Sequence, residues 1–456
     1  MNELDKGPES PISRLPQELL EIIFVDYLHL YSFEEGNGRK GIIGCRGPLP
    51  VDLLLVCRGW RRIVLSNHKL FIRIAITDNR FSPYKIIPTW IRRSGSLPLE
   101  VAITPERWNG TVDSKTKLLQ FLGKQMHRIR ILKMSYTPYF DTLFPPDSIT
   151  LAPMLQYLRL SSPTFNSFVS NTIVWRSGGI IAENLQSLTL NTEIPLWRVN
   201  LPLGPMLISF DGRNCVYGPR EAARLLSMCP NLRTCSLDYG EDSVSPQPTD
   251  ADLTANIILL HLVAFDIKFH KTTPSSRAPS HFNRVARRLD TPSLQKLRLD
   301  ASDILDRPFN FDNLVAKPQE RWLSQCHPPL QKLSLVSFSS LELGTFRQIL
   351  EAVPGISELE LQGWKLSCDQ LNILNRGLNP SICPRLDVLS VHSSILLADA
   401  EELISVIYSR LASDTGDEGD QPLTKLTVSN LRDEKLMHMG YEFLEAHSFP
   451  DFTIVL

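Results

Sequence analysis

Two stretches near the start of the chain carry apolar residues around more of a helix than one buried face needs. Residues 13–30 (SRLPQELLEIIFVDYLHL) and 53–71 (LLLVCRGWRRIVLSNHKLF) both follow helical spacing. In the first stretch the apolar arc is roughly 240° wide, whereas a one-sided surface helix needs about 100°. The pattern predicts two helices and leaves two interpretations open. Either the helices bury themselves against each other and the following domain, or one face binds a second protein.

The rest of the chain repeats a short strand-like cadence of the form Leu-x-x-Leu-x-Leu. The copies begin at Leu155, Leu185, Leu232, Leu262, Leu294, Leu330, Ile356, Leu386 and Leu423, with weaker ones at Ile129 and Leu207. Where they are cleanest, they start 26 to 37 residues apart, and a proline shortly precedes most of them. Helix-like spacing fills several intervals, at 220–229, 345–353, 370–378 and 401–412. A strand and a helix repeated at this period predict an α/β fold, a leucine-rich-repeat solenoid with parallel strands on its concave face and helices on its convex face.

Composition narrows the class of partner and the compartment. The formal net charge is −1, which argues against nucleic acid or an anionic membrane as the main partner. The sequence contains no run of eighteen apolar residues that could span a bilayer. Its first ten residues resemble neither a secretory signal nor a transit peptide, because they are acidic and polar (MNELDKGPES). Eight scattered cysteines suit reduced thiols. We therefore expect a cytoplasmic and/or nuclear protein.

The opening residues resemble an F-box. LPQELLEIIFVDYL supplies the leading Leu-Pro, Glu-Leu-Leu and Ile-Phe, and the later Val-Cys-x-x-Trp-Arg follows in the expected order. The resemblance covers about 60 of the 456 residues, and residues 29–50 form a longer join than most members have. With the repeats that follow, the arrangement resembles the fungal-type F-box proteins with C-terminal leucine-rich repeats. It implies a disordered tail at 1–10, an all-helical F-box at 11–77 with a loop insertion near 29–50, and a solenoid of about ten or more degenerate repeats at 78–456.

The resemblance implies a function for each part. F-box proteins dock on a Skp-type adaptor, join a cullin–RING ligase through it, and so serve as substrate-recognition subunits of SCF-type (Skp-cullin-F-box) E3 ubiquitin ligases. The adaptor would cover the surplus apolar arc. By the family pattern, the adaptor-binding positions are Leu15, Pro16, Leu19, Ile22, Ile23, Val56, Cys57 and Trp60. For Trp60 the alternative is a plain core tryptophan beneath the module.

The solenoid would bind an unknown protein target with the side chains that alternate with the buried leucines of each strand. The candidate target-binding residues are Tyr157, Arg159, Lys296, Arg298, Lys332, Glu358 and Glu360. Positive residues cluster on two successive strands before the glutamate pair, which suits an acidic or phosphorylated segment. The alternative, which the pattern favours, is an ordinary solvated strand face.

No motif in the sequence predicts catalysis, a metal site or a cofactor. Two Ser-x-x-Lys matches, at Ser66 and Ser114, are short enough to arise by chance. The acidic stretch 414–420 fails as a calcium loop because position 425 is a lysine. We expect a non-catalytic subunit. Two alternatives stay open: a repeat scaffold that uses its F-box outside a ubiquitin ligase, and a solenoid that holds a small ligand.

Overall fold

The chain is α/β and divides into two compact units. Unit 1 comprises residues 1–192 with 198–202, and unit 2 comprises residues 193–197 with 203–456. The computed structural model describes residues 11–29, 50–76, 83–103, 111–135, 143–144, 149–161, 180–191, 203–240, 256–270, 282, 285–302, 322–323, 328–337, 343–363, 367–392, 397–411, 423–429 and 453–455. The predicted tail at 1–10, most of the insertion near 29–50 and the acidic stretch 414–420 lie outside these ranges.

Unit 1 opens with helices, as the apolar spacing predicts. They are α1 (Gln17–His29), α2 (Pro50–Leu54), α3 (Arg58–Ser66), α4 (Pro83–Arg93) and α5 (Val112–Gly123), with 3₁₀ turns at Pro11–Arg14, His68–Phe71 and Met126–Arg128.

The second apolar stretch forms two helices and not one. The chain leaves the helix after Leu54, and Cys57 adopts an extended conformation as the N-cap of α3. Its Sγ accepts a hydrogen bond from the backbone N–H of Trp60 at 3.4 Å. A side-chain acceptor at the first turn satisfies a donor that a helix start leaves unpaired, so the cap favours a new helix at Arg58 over a continued one.

Short parallel strands follow the helices of unit 1. The strands are β1 (Arg73–Ile76), β2 (Leu99–Ile103), β3 (Ile129–Ser135), β4 (Thr150–Leu151), β5 (Tyr157–Ser161), β6 (Ile180–Ile181) and β7 (Ser187–Asn191). In the main sheet of this unit β1, β2, β3, β5 and β7 are neighbours in chain order, and β4 pairs with β6 separately. Strand pairing therefore begins at β1, which lies inside the segment 11–77 assigned to the helical module.

Unit 2 continues the same alternation. Its strands are β8 (Ser209–Tyr217), β9 (Thr234–Tyr239), β10 (Ile257–Ile258), β11 (Ala264–Phe269), β12 (Leu289–Asp290), β13 (Lys296–Asp300), β14 (Lys332–Val336), β15 (Glu358–Gln362), β16 (Val388–His392), β17 (Lys425–Ser429) and β18 (Thr453–Val455). Its helices are α6 (Pro219–Met228), α7 (Leu343–Ala352), α8 (Cys368–Leu374) and α9 (Leu397–Leu411). Nine parallel strands, β8, β9, β11 and β13–β18, are neighbours in chain order, and β10 pairs with β12.

A tight turn sets the start of the repeated strands. The amide of Leu155 donates to the carbonyl of Ala152 at 3.1 Å, and Leu185 donates to Ala182 in the same way at 3.0 Å. The residue three positions before the leucine is often small and buried, which lets the turn lie close to the neighbouring repeat. Further examples are Cys229, Thr291 and Cys383.

Two cysteines occupy this position, Cys229 before Leu232 and Cys383 before Leu386. Cys229 and Cys383 are both fully buried. Burial raises the pKa of the Cys229 thiol to about 12 and that of Cys383 to about 11, so both stay protonated at neutral pH. Cys326, four residues before Leu330, lies outside the described residues.

The predicted helices match α6, α7 and α9 closely, but the one predicted over 370–378 ends early, at Leu374. Tertiary hydrogen bonds replace its last turn: Asn375 donates through Nδ2 to Ser405 Oγ at 3.0 Å, and the amide of Arg376 donates to Ser409 Oγ at 3.0 Å. Helix α4 begins at Pro83, and the buried Trp90 and Ile91 lie near its end.

Strands also form at three less regular stretches of the sequence. LPLEVAI contains β2, the poor copy at Leu207 leads into β8, and FPDFTIVL contains β18. In the clean repeats the strand burial alternates, with the apolar residues of the cadence buried and the residues between them half-buried, as in β5, β7 and β11. One face of each strand therefore builds the core, and the other face offers polar side chains.

Candidate functional site

Helix α1 has two different apolar faces. Leu20 and Phe24 are buried, and the Phe24 ring packs against Trp60 of α3 with 4.6 Å between ring centroids. The other face leaves large apolar side chains in solvent. These are Leu15 just before the helix and Leu19, Ile22, Ile23 and Tyr27 within it. Ile22 is the most exposed of these residues, with 57% of its surface in solvent.

The connection between α2 and α3 exposes a second apolar group. Leu55 and Val56 point into solvent at the break after α2, followed by the exposed Cys57. Arg61, which lies on α3, stabilises this break because its Nε donates a hydrogen bond to the carbonyl of Leu54 at 3.3 Å. The break and its hydrogen bonds thus fix Val56 outside the packed interior of unit 1.

Seven of the eight predicted adaptor-binding residues are exposed. Leu15, Pro16, Leu19, Ile22 and Ile23 lie on or just before α1, and Val56 and Cys57 lie before α3. The eighth, Trp60, is half-buried against Phe24, which accords with the alternative of a supporting core residue.

The family pattern did not single out Leu55 and Tyr27, although both are exposed. Leu55 was visible in the unbroken apolar run LLLVC, and Tyr27 in the wide apolar arc of α1.

Two of the predicted target-binding residues, Tyr157 and Arg159, lie on β5 in unit 1. Both are half-buried, and Lys133 Nζ of the neighbouring strand lies 5.2 Å from the Tyr157 ring centroid. On the same sheet Glu100 is paired with Arg73 and Arg130. The other five predicted residues lie in unit 2, so the structure distributes the predicted set over the two units.

Those five residues belong to what we call the charged cluster, formed by Asp266, Lys296, Arg298, Asp300, Lys332, Glu358 and Glu360. Strand register places them together: Lys296 is level with Lys332 and Glu358, while Asp266 is level with Arg298 and Glu360.

Each of two cations in the cluster is shared among carboxylates. Arg298 lies 3.8 Å from Asp266, 3.4 Å from Asp300 and 3.8 Å from Glu360. Lys332 pairs closely with Glu358 and lies 3.7 Å from Glu360, whose Oε2 also accepts a hydrogen bond from Ser334 Oγ at 2.8 Å. The basic stripe predicted from the sequence is therefore balanced by acidic neighbours.

A depression of about 250 Å³ lies beside the charged cluster. Thr234, Ser236 and Ala264 contribute short side chains, while Asp266 and Lys296 reach it from the adjoining positions. Burial raises the pKa of the Asp266 carboxyl, and the nearby Arg298 and Arg213 only partly offset this effect. The arrangement can bind a polar or charged side chain.

Two kinds of site are not found in the described part of the chain. Within it, no group of three or more histidine, cysteine, aspartate or glutamate side chains is placed to hold a metal ion. Among the same residues, no helix has both the length and the apolar character needed to cross a membrane. Comparison with protein-family models and with curated proteins finds no match to this chain.

Proposed function

We propose that the chain is the substrate-recognition subunit of an SCF-type E3 ubiquitin ligase. Its F-box docks on a Skp-type adaptor, and its leucine-rich-repeat solenoid binds a protein target. The chain acts without catalysing a reaction itself and works in the cytoplasm or nucleus, where free thiols persist. The observation that carries the proposal is the exposed apolar face of α1, which remains uncovered although the opposite face of the same helix is packed.

Physical reasoning connects that face to a partner. Covering one large apolar side chain contributes about 1.5–3 kcal/mol, so Leu19, Ile22 and Ile23 together offer a substantial binding free energy. Exposed groups of this kind mark protein contacts or aggregation sites. The order of F-box residues in the sequence favours a contact, and specifically one with an adaptor.

The repeats support the receptor half of the proposal. Parallel strands follow one another in chain order, a tight turn precedes many of them, and their outward side chains are half-buried polar groups. Stacked units of this kind bury one continuous core and leave a long row of variable side chains for a partner.

Co-expression with the host's Skp-type adaptor tests the proposal. We compare the wild-type chain with Ile22→Glu, which places a charge at the centre of the exposed face without touching a buried contact. The matched control is Val112→Glu, since Val112 is 65% exposed at the start of α5 in the same unit.

Wild type and the Val112→Glu control should co-purify with the adaptor, and Ile22→Glu should not. Failure of the wild type to bind, or equal binding by all three proteins, would contradict the proposal. Adding the cullin separates the ligase role from a scaffold outside the ligase, because a scaffold would bind the adaptor and leave the cullin unbound.

A further inference from the structure

The depression beside the charged cluster owes its shape to a change in side-chain size across neighbouring strands. β9 and the start of β11 present Thr234, Ser236 and Ala264, whereas β13 presents Lys296 and Arg298 at the same levels. Short side chains beside long ones leave a gap of about 250 Å³, which is open to an incoming side chain.

The Asp266 carboxylate is half-buried, with 32% of its side chain exposed to solvent. Among the described residues its ion pair is with Arg298, and the Nε to Oδ1 distance of 3.8 Å is too long for a hydrogen bond. Arg298 also forms ion pairs with Asp300 and Glu360, and a movement toward Asp266 would weaken those two pairs. A basic ligand that displaces solvent from this half-buried carboxylate would form a charge-assisted hydrogen bond, which is stronger than a bond between neutral groups.

The charges around the depression favour a cation over an anion. The charged cluster contains three cations (Lys296, Arg298 and Lys332) and four carboxylates, so its formal net charge is 3 − 4 = −1. Arg298 and Lys332 are already paired, and the third cation, Lys296, is exposed. An acidic ligand would therefore compete with carboxylates at two cations and with solvent at the third. A basic ligand has an available acceptor in Asp266.

We propose that the depression receives a basic side chain, arginine or lysine, from an extended segment of the target, and that Asp266 binds its charged end. Ser236, level with Asp266 on the next strand, supplies a further hydroxyl at the wall. A guanidinium fits a carboxylate with two parallel hydrogen bonds, so arginine binds more tightly than lysine. This assignment names the target chemistry of the proposed receptor and rests on that function for its biological meaning.

Capped amino acids test the site on the full-length chain. N-acetyl-arginine amide is titrated into wild type, Asp266→Asn and the control Glu351→Gln, which removes an equal charge from the exposed surface of α7. Binding is followed by calorimetry or ligand-observed NMR at low and high salt. N-acetyl-citrulline amide serves as the uncharged analogue.

Wild type and Glu351→Gln should bind the arginine probe alike. Asp266→Asn should bind it at least about tenfold more weakly, the effect expected from losing one charged hydrogen bond, and citrulline should show a similar loss. Binding should also weaken as salt rises.

The assignment is overturned if wild type fails to bind the arginine probe or if Asp266→Asn binds it as well as wild type. It is equally overturned if N-acetyl-glutamate amide binds better than the arginine probe and loses affinity in Lys296→Gln. Adaptor binding of Asp266→Asn is measured in parallel and should equal that of wild type. Loss of adaptor binding in every protein would refute the proposed function while leaving the arginine result to be judged on its own.

Discussion

The paired carboxylate Glu100 gives a quantitative test of how unit 1 is held together. Its side chain is 6% exposed, and Oε2 lies 2.7 Å from Arg73 Nε while Oε1 pairs closely with Arg130. Removing one partner of a buried ion pair costs about 3–5 kcal/mol. Because 44% of the Arg130 side chain is exposed and can rehydrate, we expect Glu100→Gln to lower the free energy of unfolding by about 2 kcal/mol.

The same residue predicts a pH dependence with a definite sign. Burial by itself would raise the pKa of Glu100, but hydrogen bonds from Arg130 and Arg73 outweigh it and lower the pKa below the ordinary value of 4.5. A carboxyl with a lowered folded-state pKa contributes stability that is complete above its unfolded pKa. That contribution is lost as pH falls through the folded pKa. The difference between wild type and Glu100→Gln should therefore be constant near pH 7 and shrink below about pH 4.5.

Hydrogen exchange as a function of urea, read by mass spectrometry on peptides covering β2, measures this stability for unit 1 alone. The control is Glu351→Gln, an exposed pair with Arg347 in unit 2, which should change stability by less than about 0.5 kcal/mol. A Glu100→Gln protein as stable as wild type at pH 7 would refute the reasoning, as would a difference that persists unchanged at acidic pH.

Two further variants test the packing of each unit. Arg410 is 1% exposed and donates hydrogen bonds to three backbone carbonyls, which would lose their donor in Arg410→Met. This variant should lower the free energy of unfolding of unit 2 by about 3 kcal/mol in urea denaturation. The control Arg347→Met, at an exposed ion pair, should lower it by less than about 0.5 kcal/mol. Phe24→Ala should destabilise unit 1 by about 3–5 kcal/mol because its buried ring packs on α3, whereas Ile22→Ala should be nearly neutral. Equal effects within either pair would contradict the packing described.

The positions of many strands could be predicted from the sequence because each repeat contains a local pattern of apolar residues. The apolar triplets locate the strands, and the small residue three positions earlier locates the turn, as Cys229 and Cys383 show. The two faces of α1 were also visible in its apolar arc, although the sequence left open whether the second face would be covered within the chain.

Other features depend on contacts between distant residues. The end of α8 at Leu374 is fixed by hydrogen bonds to α9, more than thirty residues later, and no local pattern encodes them. The break at Cys57 depends on a thiol cap, which is an uncommon choice at a helix start. Asp266 was not predicted as a site residue because its role depends on its charged neighbour on the next strand. When LVAFDI of β11 is aligned with LQKLRL of β13, Asp266 lies beside Arg298.

The most direct test of the account is the affinity of the purified chain for the host's Skp-type adaptor. A variant with Leu15→Ala, Pro16→Ala and Ile23→Ala removes three exposed positions of the proposed contact, and its circular dichroism should match that of wild type. Buried interface anchors commonly contribute about 2 kcal/mol or more each, so the variant should bind at least about a thousandfold more weakly. A folded wild-type chain with no measurable affinity for the adaptor, or a variant with undiminished affinity, would contradict the account.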